Sequence, residues 1–318
     1  MSRSISKPTF PLIKKNISIA GLTTFGLVSK AAYYIQVFRP EELVATVKAV
    51  HESNISYMVM AGGSNLVFPE LIGEKLLIHI SSNLKSKTAL QVKGSTISCE
   101  AGVPLSKLIS TAIKHDLSGL EALSGIPGTV GGAIVGNAGA YGQTISDHLE
   151  SVTIFDGNKV RTLTKTGGKF AYRDSIFKHK SWLVLSATFN LATGDRKALL
   201  EKSKSIIATR NVKYPPGLKC PGSFFKNVLV KNVSKASLAK IDQAKIIDGK
   251  IATGWLLEQV GARGEREGGI YIPDYHGNLL VNDGTGTYGD VKKIAARVKA
   301  KVKRRFGIEL EEEVRYML

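Results

Sequence analysis

The chain has 318 residues, with 44 Lys and Arg against 26 Asp and Glu, so its formal charge at pH 7 is +18. Hydrophobic residues make up 43% of it, a share that excludes a wholly disordered chain and suffices for two domain cores. No apolar run approaches the ~18–20 residues of a membrane helix, and the basic N-terminus lacks the apolar stretch that a secretory signal needs.

Helices and strands are both predicted in the first half of the chain. A helix is predicted from Pro40, because proline suits the first helical turn and Glu41 and Glu42 suit the positive end of the helix dipole. A strand over 57–60 leads into a first glycine loop, residues 62–66. The elements predicted next are strands over 76–80, 89–92 and 96–100 and a helix over 104–115.

A second glycine stretch, residues 124–142, follows the helix predicted over 104–115. After it the periodicity predicts strands over 152–155, 160–163 and 182–191, helices over 196–212 and 290–306, and a strand-like tail over 308–317. This mixture of elements favours an α+β or α/β fold.

The first glycine loop has the sequence Gly62-Gly63-Ser64-Asn65-Leu66. A glycine backbone lets N–H groups approach a phosphate closely, and Ser64 and Asn65 add side-chain donors. The loop is neither a Walker A loop nor a Rossmann fingerprint. An ordinary glycine turn explains it equally well, so this loop alone does not decide the function.

The second glycine stretch contains seven glycines within eighteen residues, with apolar residues between them and no charge. A flexible linker would instead be polar and rich in Ser and Gly. We expect this stretch to be buried and to let a pyrophosphate joined to a ring system lie against the backbone. The alternative is a tightly packed core turn.

Five further segments accompany the two glycine segments in a fixed order. They are Leu22-Thr23-Thr24-Phe25 with Ala31-Ala32-Tyr33, Ala171-Tyr172-Arg173-Asp174-Ser175-Ile176-Phe177-Lys178, Gly222-Ser223-Phe224-Phe225-Lys226-Asn227, His276-Gly277-Asn278-Leu279-Leu280-Val281-Asn282, and Gly307-Ile308-Glu309-Leu310-Glu311-Glu312-Glu313-Val314-Arg315. Together the segments resemble the UDP-N-acetylenolpyruvoylglucosamine reductase (MurB) family over residues 20–316. The spacing from Arg210 to Ser223 resembles the shorter subtype, which lacks an extra tyrosine-bearing loop.

The resemblance implies an α+β fold with two domains. An FAD-binding domain of the PCMH/VAO type, made of two subdomains, is expected over 1–205, with the subdomains at about 1–70 and 71–205. An α+β substrate-binding domain is expected over 206–302. A C-terminal segment, 303–318, is expected to return toward the FAD-binding domain.

The resemblance also implies a reaction. An NADPH-dependent flavoenzyme of this family reduces the enolpyruvyl group of UDP-N-acetylglucosamine enolpyruvate to UDP-N-acetylmuramate in peptidoglycan precursor synthesis. NADPH reduces FAD, and the reduced flavin passes hydride to the double bond. This chemistry requires a cation for the substrate carboxylate, a donor for the developing charge and an acid for the adjacent carbon.

Two of the catalytic candidates that the resemblance assigns are Arg173 and Ser223. A guanidinium fork pairs with a carboxylate bidentately, which suits Arg173 to the substrate carboxylate. Ser223 is the proton donor by resemblance. A free serine hydroxyl is a weak acid, so either Lys226 or a neighbouring backbone dipole is expected to stabilise the alkoxide.

The third catalytic candidate lies in the run Glu311-Glu312-Glu313. By resemblance, Glu313 is selected because it directly precedes Val314-Arg315. Strand alternation places Glu311 and Glu313 on one side and Glu312 on the other. A solvated charge run is the alternative.

The resemblance extends to binding residues. The cofactor-binding candidates are Gly62, Gly63, Ser64, Asn65, Leu66, Ser124, Gly125, Ile126, Pro127, Gly128, Thr129, Gly131, Gly132, Ala133, Asn137, Gly139 and Ala140. The substrate-binding candidates are Tyr172, Arg210, Lys213, Lys226, Asn227 and Gln259, with an exposed helix glutamine as the alternative for the last. Six scattered histidines and two cysteines imply no metal site.

Two other functions are open alternatives. One is an FAD-dependent oxidoreductase of the same fold that acts on another substrate. The other is a basic, non-enzymatic binding protein, which would account for the charge and the lysine-rich last helix. The flavoenzyme interpretation is preferred because it also accounts for the glycine segments. It implies a UDP-sugar and NADPH as partners, FAD and NADPH as cofactors, no nucleic acid, no membrane insertion, a monomer and a cytoplasmic location.

Overall fold

The computed structural model describes residues 12–318, so the expectation about a secretory signal lies largely outside the described residues. These residues form two compact units. Unit 1 consists of residues 12–17, 31–62 and 73–206, and unit 2 of residues 18–30, 63–72 and 207–318. The boundary at 206 is close to the predicted one. The segments 18–30 and 63–72 belong to unit 2 by their contacts, as does 303–318, and the assignment of functional domains stays a prediction.

Within residues 12–318 the structure has eight α-helices. They are α1 (Pro40–Glu52), α2 (Leu105–Lys114), α3 (Val130–Gly136), α4 (Ile176–His179), α5 (Arg196–Lys213), α6 (Lys235–Leu238), α7 (Thr253–Gln259) and α8 (Tyr288–Phe306). In this part of the chain, none of them combines the length and the apolar character needed to cross a bilayer.

The same residues form short strands. They are β1 (Lys14–Ser18), β2 (Lys30–Val37), β3 (Tyr57–Met60), β4 (Leu66–Val67), β5 (Leu71–Ile80), β6 (Leu90–Lys93), β7 (Thr96–Glu100), β8 (Leu117–Ser118), β9 (Gly139–Ala140), β10 (Gln143–Thr144), β11 (Leu149–Phe155), β12 (Val160–Thr164), β13 (Leu183–Asn190), β14 (Ala192–Thr193), β15 (Val228–Leu229), β16 (Ile246–Ile247), β17 (Lys250–Ile251), β18 (Arg266–Glu267), β19 (Ile270–Tyr271), β20 (Val281–Asn282) and β21 (Arg315–Tyr316). Strands and helices are therefore mixed along the whole chain, and the α+β expectation is confirmed.

Unit 1 contains the two larger sheets. The first has the strand order β1-β2-β5-β3, with β3 parallel to β5, and the apolar face of α1 packs into its core through Leu43 and Val47. The second is antiparallel and has the order β12-β11-β13-β7-β6. Helices α2 and α3 share a buried core with this sheet through residues such as Leu108 and Ile134.

Unit 2 is built around α8. A capping box begins this helix, because the Thr287 and Asp290 side chains satisfy each other's backbone N–H groups. One stripe of the helix is buried in the unit 2 core, as predicted: Val291, Ile294, Ala295, Val298, Val302 and Phe306. Several basic residues on its other faces pair with acids: Arg297 and Lys301 both contact Glu265. Part of the basic charge of this helix is therefore neutralised locally.

Two sequence predictions differ from the structure. The second glycine stretch, predicted to be a loop, contains α3, because Val130 and Ile134 lie one turn apart and are both fully buried. In the tail, only β21 is a strand, and an isolated bridge joins Glu312 to Phe225. The other predicted helices and strands are confirmed, most with ends shifted by a few residues.

Candidate active site

The turn that carries Arg173 is tied to the second glycine stretch within unit 1. Asn137 Nδ2 donates to Ala171 O over 2.8 Å, and Ser175 Oγ donates to Val135 O over 2.7 Å. In each bond, one residue lies two positions from Arg173 and the other lies at the end of α3. Two side-chain hydrogen bonds therefore hold a candidate catalytic residue beside candidate cofactor-binding residues.

Arg173 has a constrained backbone and close neighbours. Its φ of +54° lies in the left-handed region that L-residues rarely adopt. Lys178 Nζ donates to its carbonyl oxygen over 2.6 Å, and its guanidinium carbon lies 5.7 Å from the centre of the Tyr172 ring. A Cβ at Gly139 would lie 3.4 Å from Arg173 Nη1. The turn thus presents the guanidinium over glycine backbone, and a left-handed non-glycine residue is a recurrent feature of functional sites.

Glycine is required at two close backbone approaches in unit 1. A Cβ at Gly62 would lie 2.7 Å from Gly128 Cα, so the two glycine segments touch there. A Cβ at Gly131 would lie 2.7 Å from Ala101 Cβ. These separations are too short for any side chain, which explains the glycines without reference to a ligand.

The second glycine stretch is only partly buried. Gly125, Pro127 and Gly132 are exposed, whereas Thr129 and Asn137 are buried. The expectation of a buried stretch is therefore wrong at Gly125, Pro127 and Gly132, and also at residues 141–142. The exposed positions follow from the local geometry, since Gly125 lies before the helix and Gly132 lies on the outer face of α3.

The predicted FAD-binding residues of unit 1 fit a cofactor in two respects. The exposed backbone at Gly125, Pro127 and Gly132 offers an uncharged surface without bulky side chains. Asn137 Oδ1 is buried, yet no described residue donates a hydrogen bond to it. Because buried acceptors are normally satisfied, this oxygen is available to a donor on a bound molecule.

The rest of the first glycine loop, residues 63–66, belongs to unit 2 and contacts the segment that carries Glu313. Asn65 Nδ2 donates to Glu313 O, and Arg315 N donates to Asn65 O, both over 3.0 Å. Strand β4 also pairs with β21 in parallel. On the other side of the loop, Thr24 N donates to Gly63 O over 3.3 Å. The loop is therefore held between the opening segment and the glutamate segment.

The serine segment, Gly222–Asn227, is held by Asn278. Phe225 N donates to Asn278 Oδ1 and Asn278 Nδ2 donates to Phe225 O, each over 2.9 Å. Phe224 N donates to Asn278 O over 3.0 Å. Asn278 is 3% exposed, and Gly222 has a φ of +88° that places Ser223 after a tight turn. A buried amide thus anchors the backbone next to the candidate proton donor.

The structure brings the backbones of Ser223 and Glu313 together within unit 2. Glu313 N donates to Phe224 O over 2.8 Å, and Lys226 N donates to Glu311 O over 2.9 Å. These two bonds form a short antiparallel bridge. The two candidate catalytic residues of this unit therefore lie on adjacent, directly bonded chain segments.

At this bridge, successive glutamates of the run pair with different lysines. Glu311 pairs with Lys226, and Glu312 pairs with Lys299 of α8 over 3.2 Å. The side chain of Lys226 is largely buried while that of Glu311 is mostly exposed. Lys226, one of the two groups expected to activate Ser223, is thus engaged with a carboxylate.

The hydroxyl nearest to Ser223 belongs to Tyr214, which the sequence interpretation missed. Tyr214 Oη and Ser223 Oγ lie 3.0 Å apart, and either hydroxyl can donate. Arg210 Cζ and Lys213 Nζ each lie 5.1 Å from the centre of the Tyr214 ring. The structure therefore brings the predicted Arg210 and Lys213 together with Ser223, with the tyrosine ring between them. No spacing pattern in the sequence signals this contact.

Two predicted substrate-binding residues have structural contacts. Asn227 Oδ1 accepts a hydrogen bond from Thr253 N over 3.2 Å, at the start of α7. Gln259 lies exposed at the end of α7, and its carbonyl oxygen accepts a hydrogen bond from Arg305 of α8. Their roles toward a substrate stay predictions.

Two further titratable groups lie near the serine segment. Burial, reinforced by the nearby Lys213, lowers the pKa of His276 to about 4, so its ring is neutral at pH 7. Its Nδ1 accepts a hydrogen bond from Asn278 N over 3.0 Å, which supports the anchoring asparagine. Burial raises the pKa of the Cys220 thiol, although Arg210 and Lys213 oppose the effect. Cys220 therefore favours the protonated thiol, which is not the nucleophilic form.

Among residues 12–318, no group of three or more His, Cys, Asp or Glu side chains converges as metal ligands would. The groups available for catalysis or binding in unit 1 are a guanidinium and glycine backbone. Those in unit 2 are a serine, a tyrosine, two cations and a glutamate.

Comparison with known proteins identifies two matching families. Residues 31–162 match the family described as FAD binding domain, and residues 214–317 match the C-terminal domain of UDP-N-acetylenolpyruvoylglucosamine reductase. A UDP-N-acetylenolpyruvoylglucosamine reductase of Solibacter usitatus is 39% identical over 296 residues, which are 93% of each chain. One from Caldanaerobacter subterraneus is 33% identical over 276 residues, 86% of this chain and 83% of the relative.

A solved structure leads to the same family. The crystal structure of UDP-N-acetylenolpyruvylglucosamine reductase (MurB) from Thermus caldophilus matches with a TM-score of 0.75 and 25% sequence identity. The match covers 97% of this chain and 100% of that one. Sequence similarity and fold similarity thus both extend over nearly the full length, and the chain belongs to the UDP-N-acetylenolpyruvoylglucosamine reductase family.

Proposed function

We propose that this chain is an FAD-containing, NADPH-dependent oxidoreductase that reduces UDP-N-acetylglucosamine enolpyruvate to UDP-N-acetylmuramate. Family membership supports this activity. The observation that carries it in the structure is the bond from Glu313 N to Phe224 O, which joins the candidate catalytic glutamate to the residue next to the candidate proton donor, Ser223. Such a reductase makes a precursor of peptidoglycan.

The cofactor-binding residues are those of the two glycine segments. In unit 1, Gly125, Pro127 and Gly132 offer exposed backbone, and Asn137 Oδ1 is unsatisfied. In unit 2, residues 63–66 are held by the Glu313 segment. Bound FAD supplies hydride transfer, from NADPH to the terminal carbon of the enolpyruvyl group.

Arg173 binds the substrate carboxylate. Hydride addition moves the electron pair of the double bond toward this carboxylate, and the planar guanidinium holds both oxygens as their charge grows. The left-handed turn and the Lys178 contact place the side chain before substrate arrives. Preorganisation of this kind lowers the reorganisation that the reaction requires.

Ser223 donates the proton to the carbon next to the carboxylate. Its Oγ–H bond breaks as the new C–H bond forms, and the negative charge passes to Oγ. Glu313, which lies on the segment bonded to that of Ser223, binds and orients the enolpyruvyl group. Arg210 and Lys213, at the end of α5, bind the diphosphate of the UDP group as two nearby cations.

The visible spectrum and two separate half-reactions test the proposal. The purified chain, reconstituted with FAD, is expected to absorb in the flavin band and to turn over NADPH continuously only with the enolpyruvyl UDP-sugar. Ser223→Ala is expected to retain flavin reduction by NADPH and to slow reoxidation by substrate about 10²- to 10⁴-fold. A protein that never binds FAD would refute the proposed function. An equal loss of rate in both half-reactions of Ser223→Ala would refute the role of Ser223.

We further propose that the enzyme is a cytoplasmic monomer. Its substrate and NADPH are small anions, which the net charge of +18 attracts without nucleic acid as a partner. Light scattering on the eluted holoenzyme should give the mass of one chain, 34.3 kDa plus FAD. A dimer mass would contradict the monomer while leaving the activity untouched.

A further inference from the structure

We propose that Tyr214 is a positioning residue for Ser223: its hydroxyl donates a hydrogen bond to Oγ as Ser223 gives up its proton, and then returns a proton to it. This inference rests on the proposed reaction, in which Ser223 is the proton donor. It answers which group, other than Lys226, stabilises the serine oxygen.

The geometry around the hydroxyl pair carries the proposal. Tyr214 Oη lies 3.0 Å from Ser223 Oγ, within hydrogen-bond range. The Tyr214 ring packs with Leu218 and Tyr271 against the buried cluster of Cys220, Leu279 and Val281. The backbone of Ser223 pairs with Leu279 of the same cluster. Both hydroxyls are therefore held from the ring side and from the backbone side.

The charges around Tyr214 favour a donor that becomes negative. Arg210 Cζ and Lys213 Nζ both lie 5.1 Å from the ring centre. Two cations near one ring stabilise a phenolate or a strongly polarised phenol. Lys226 does not serve this purpose, because it pairs with Glu311.

The proton balance is closed by solvent. Ser223 transfers its hydroxyl proton to the substrate carbon, which leaves a negative oxygen at Ser223. Tyr214 then transfers its phenolic proton to Ser223 Oγ, which restores the serine, and water reprotonates the phenolate. A phenol, with an ordinary pKa near 10, is a far stronger acid than an alcohol, so this second transfer is downhill.

The first test compares Tyr214→Phe with Tyr271→Phe in the holoenzyme. Tyr214→Phe keeps the ring, its packing and both cation contacts, and removes only the hydroxyl. It is expected to slow reoxidation of the reduced enzyme by substrate about 10- to 100-fold, with flavin reduction by NADPH and substrate binding unchanged. Tyr271→Phe removes a hydroxyl from the same cluster and is expected to change neither half-reaction. Equal effects of the two variants would overturn the proposal.

A double-mutant cycle separates positioning from general destabilisation. In the Ser223→Ala background, Tyr214→Phe is expected to slow reoxidation by less than about twofold, because its effect passes through Ser223. An additive cycle would contradict the relay.

A third measurement does not depend on reductase activity. Ser223→Cys introduces a thiol at the position of Oγ, and its alkylation can be followed against pH by mass spectrometry that resolves it from Cys220. With Tyr214 present, the thiol should react about tenfold faster at neutral pH than in Ser223→Cys/Tyr214→Phe, because the phenol stabilises the thiolate. Identical rates would overturn the inference. Absence of reductase activity in the wild type would refute the proposed function and leave this result decisive for the Tyr214 contact.

Discussion

The second glycine stretch in unit 1 and the serine segment in unit 2 are stabilised in different ways. In the former, the chain packs too closely for a side chain at Gly131, and Gly62 of the first glycine loop lies equally close to Gly128 of this stretch. In the latter, polar side chains such as Asn278 and Tyr214 hold the chain through specific hydrogen bonds. Close backbone packing therefore organises the proposed cofactor-binding residues, and polar contacts organise the segment of the proposed proton donor. Each region should fail in its own way when altered.

Asn278→Ala is expected to have the largest effect on stability. It leaves the buried N–H and C=O of Phe225 without partners, which should lower the free energy of unfolding by about 2–4 kcal/mol. Urea unfolding of the holoenzyme measures the loss, and Asn278→Asp should also be destabilising, because it buries a carboxylate and replaces the donor to Phe225 O with an acceptor. A change below about 0.5 kcal/mol would show that the polar network is not what holds the serine segment.

Gly131→Ala should cost about 1–3 kcal/mol and weaken FAD binding, because its Cβ would lie 2.7 Å from Ala101 Cβ. Gly136→Ala is a matched control in the same helix, since a Cβ there meets nothing within 4 Å. It should be neutral or slightly stabilising, because alanine favours helix over glycine. FAD titration and thermal unfolding report both variants. Equal losses would indicate that shape does not distinguish the two positions.

Acid should selectively weaken the polar region through His276. Its pKa is about 4 in the folded protein and 6.5 in the reference state, so the unfolded chain binds more protons between these values. The free energy of unfolding should therefore fall as pH falls from about 6.5 to 4. The contribution of His276 is about 1 kcal/mol after allowing for solvent that reaches the ring. His276→Gln should flatten this part of the stability curve, and an unchanged slope would exclude His276 as its cause.

Glu311→Gln should have the smallest effect. Its carboxylate is mostly exposed, so loss of the pair with Lys226 should change the free energy of unfolding by about 0–1 kcal/mol and reduce its salt dependence. The reoxidation rate should stay within about twofold, because the charge near Ser223 comes from Arg210 and Lys213. A large rate change would show that the Lys226 pair, rather than Tyr214, governs Ser223.

The sequence predicted elements whose pattern is local. The strands at 57–60 and 96–100 match β3 and β7 in full, because alternation and flanking turns suffice to define them. Helix α3 escaped prediction because glycine normally disfavours helix, whereas here Val130 and Ile134 are buried together and Thr129 caps the first turn. Tertiary packing outweighed local propensity at that point.

The sequence predicted which residues belong to the candidate site but not how they are arranged in space. The resemblance pointed to Ser223 and Glu313, but nothing in the sequence placed their segments side by side through Glu313 N and Phe224 O. The Tyr214 contact depends on the irregular chain between α5 and the serine segment, whose course no periodicity describes. Contacts across such loops follow from the folded structure alone.

The hydrogen bond from Asn65 to Glu313 joins residues that are 248 positions apart in the chain. On a ribosome that adds about 5–20 residues per second, Asn65 would wait roughly 12–50 s for this partner to be synthesised. Until then the first glycine loop lacks the strand partner that β21 provides to β4. A nascent chain could therefore complete this loop only after the glutamate segment has been synthesised, which couples the maturation of the proposed flavin-binding residues to the synthesis of that segment.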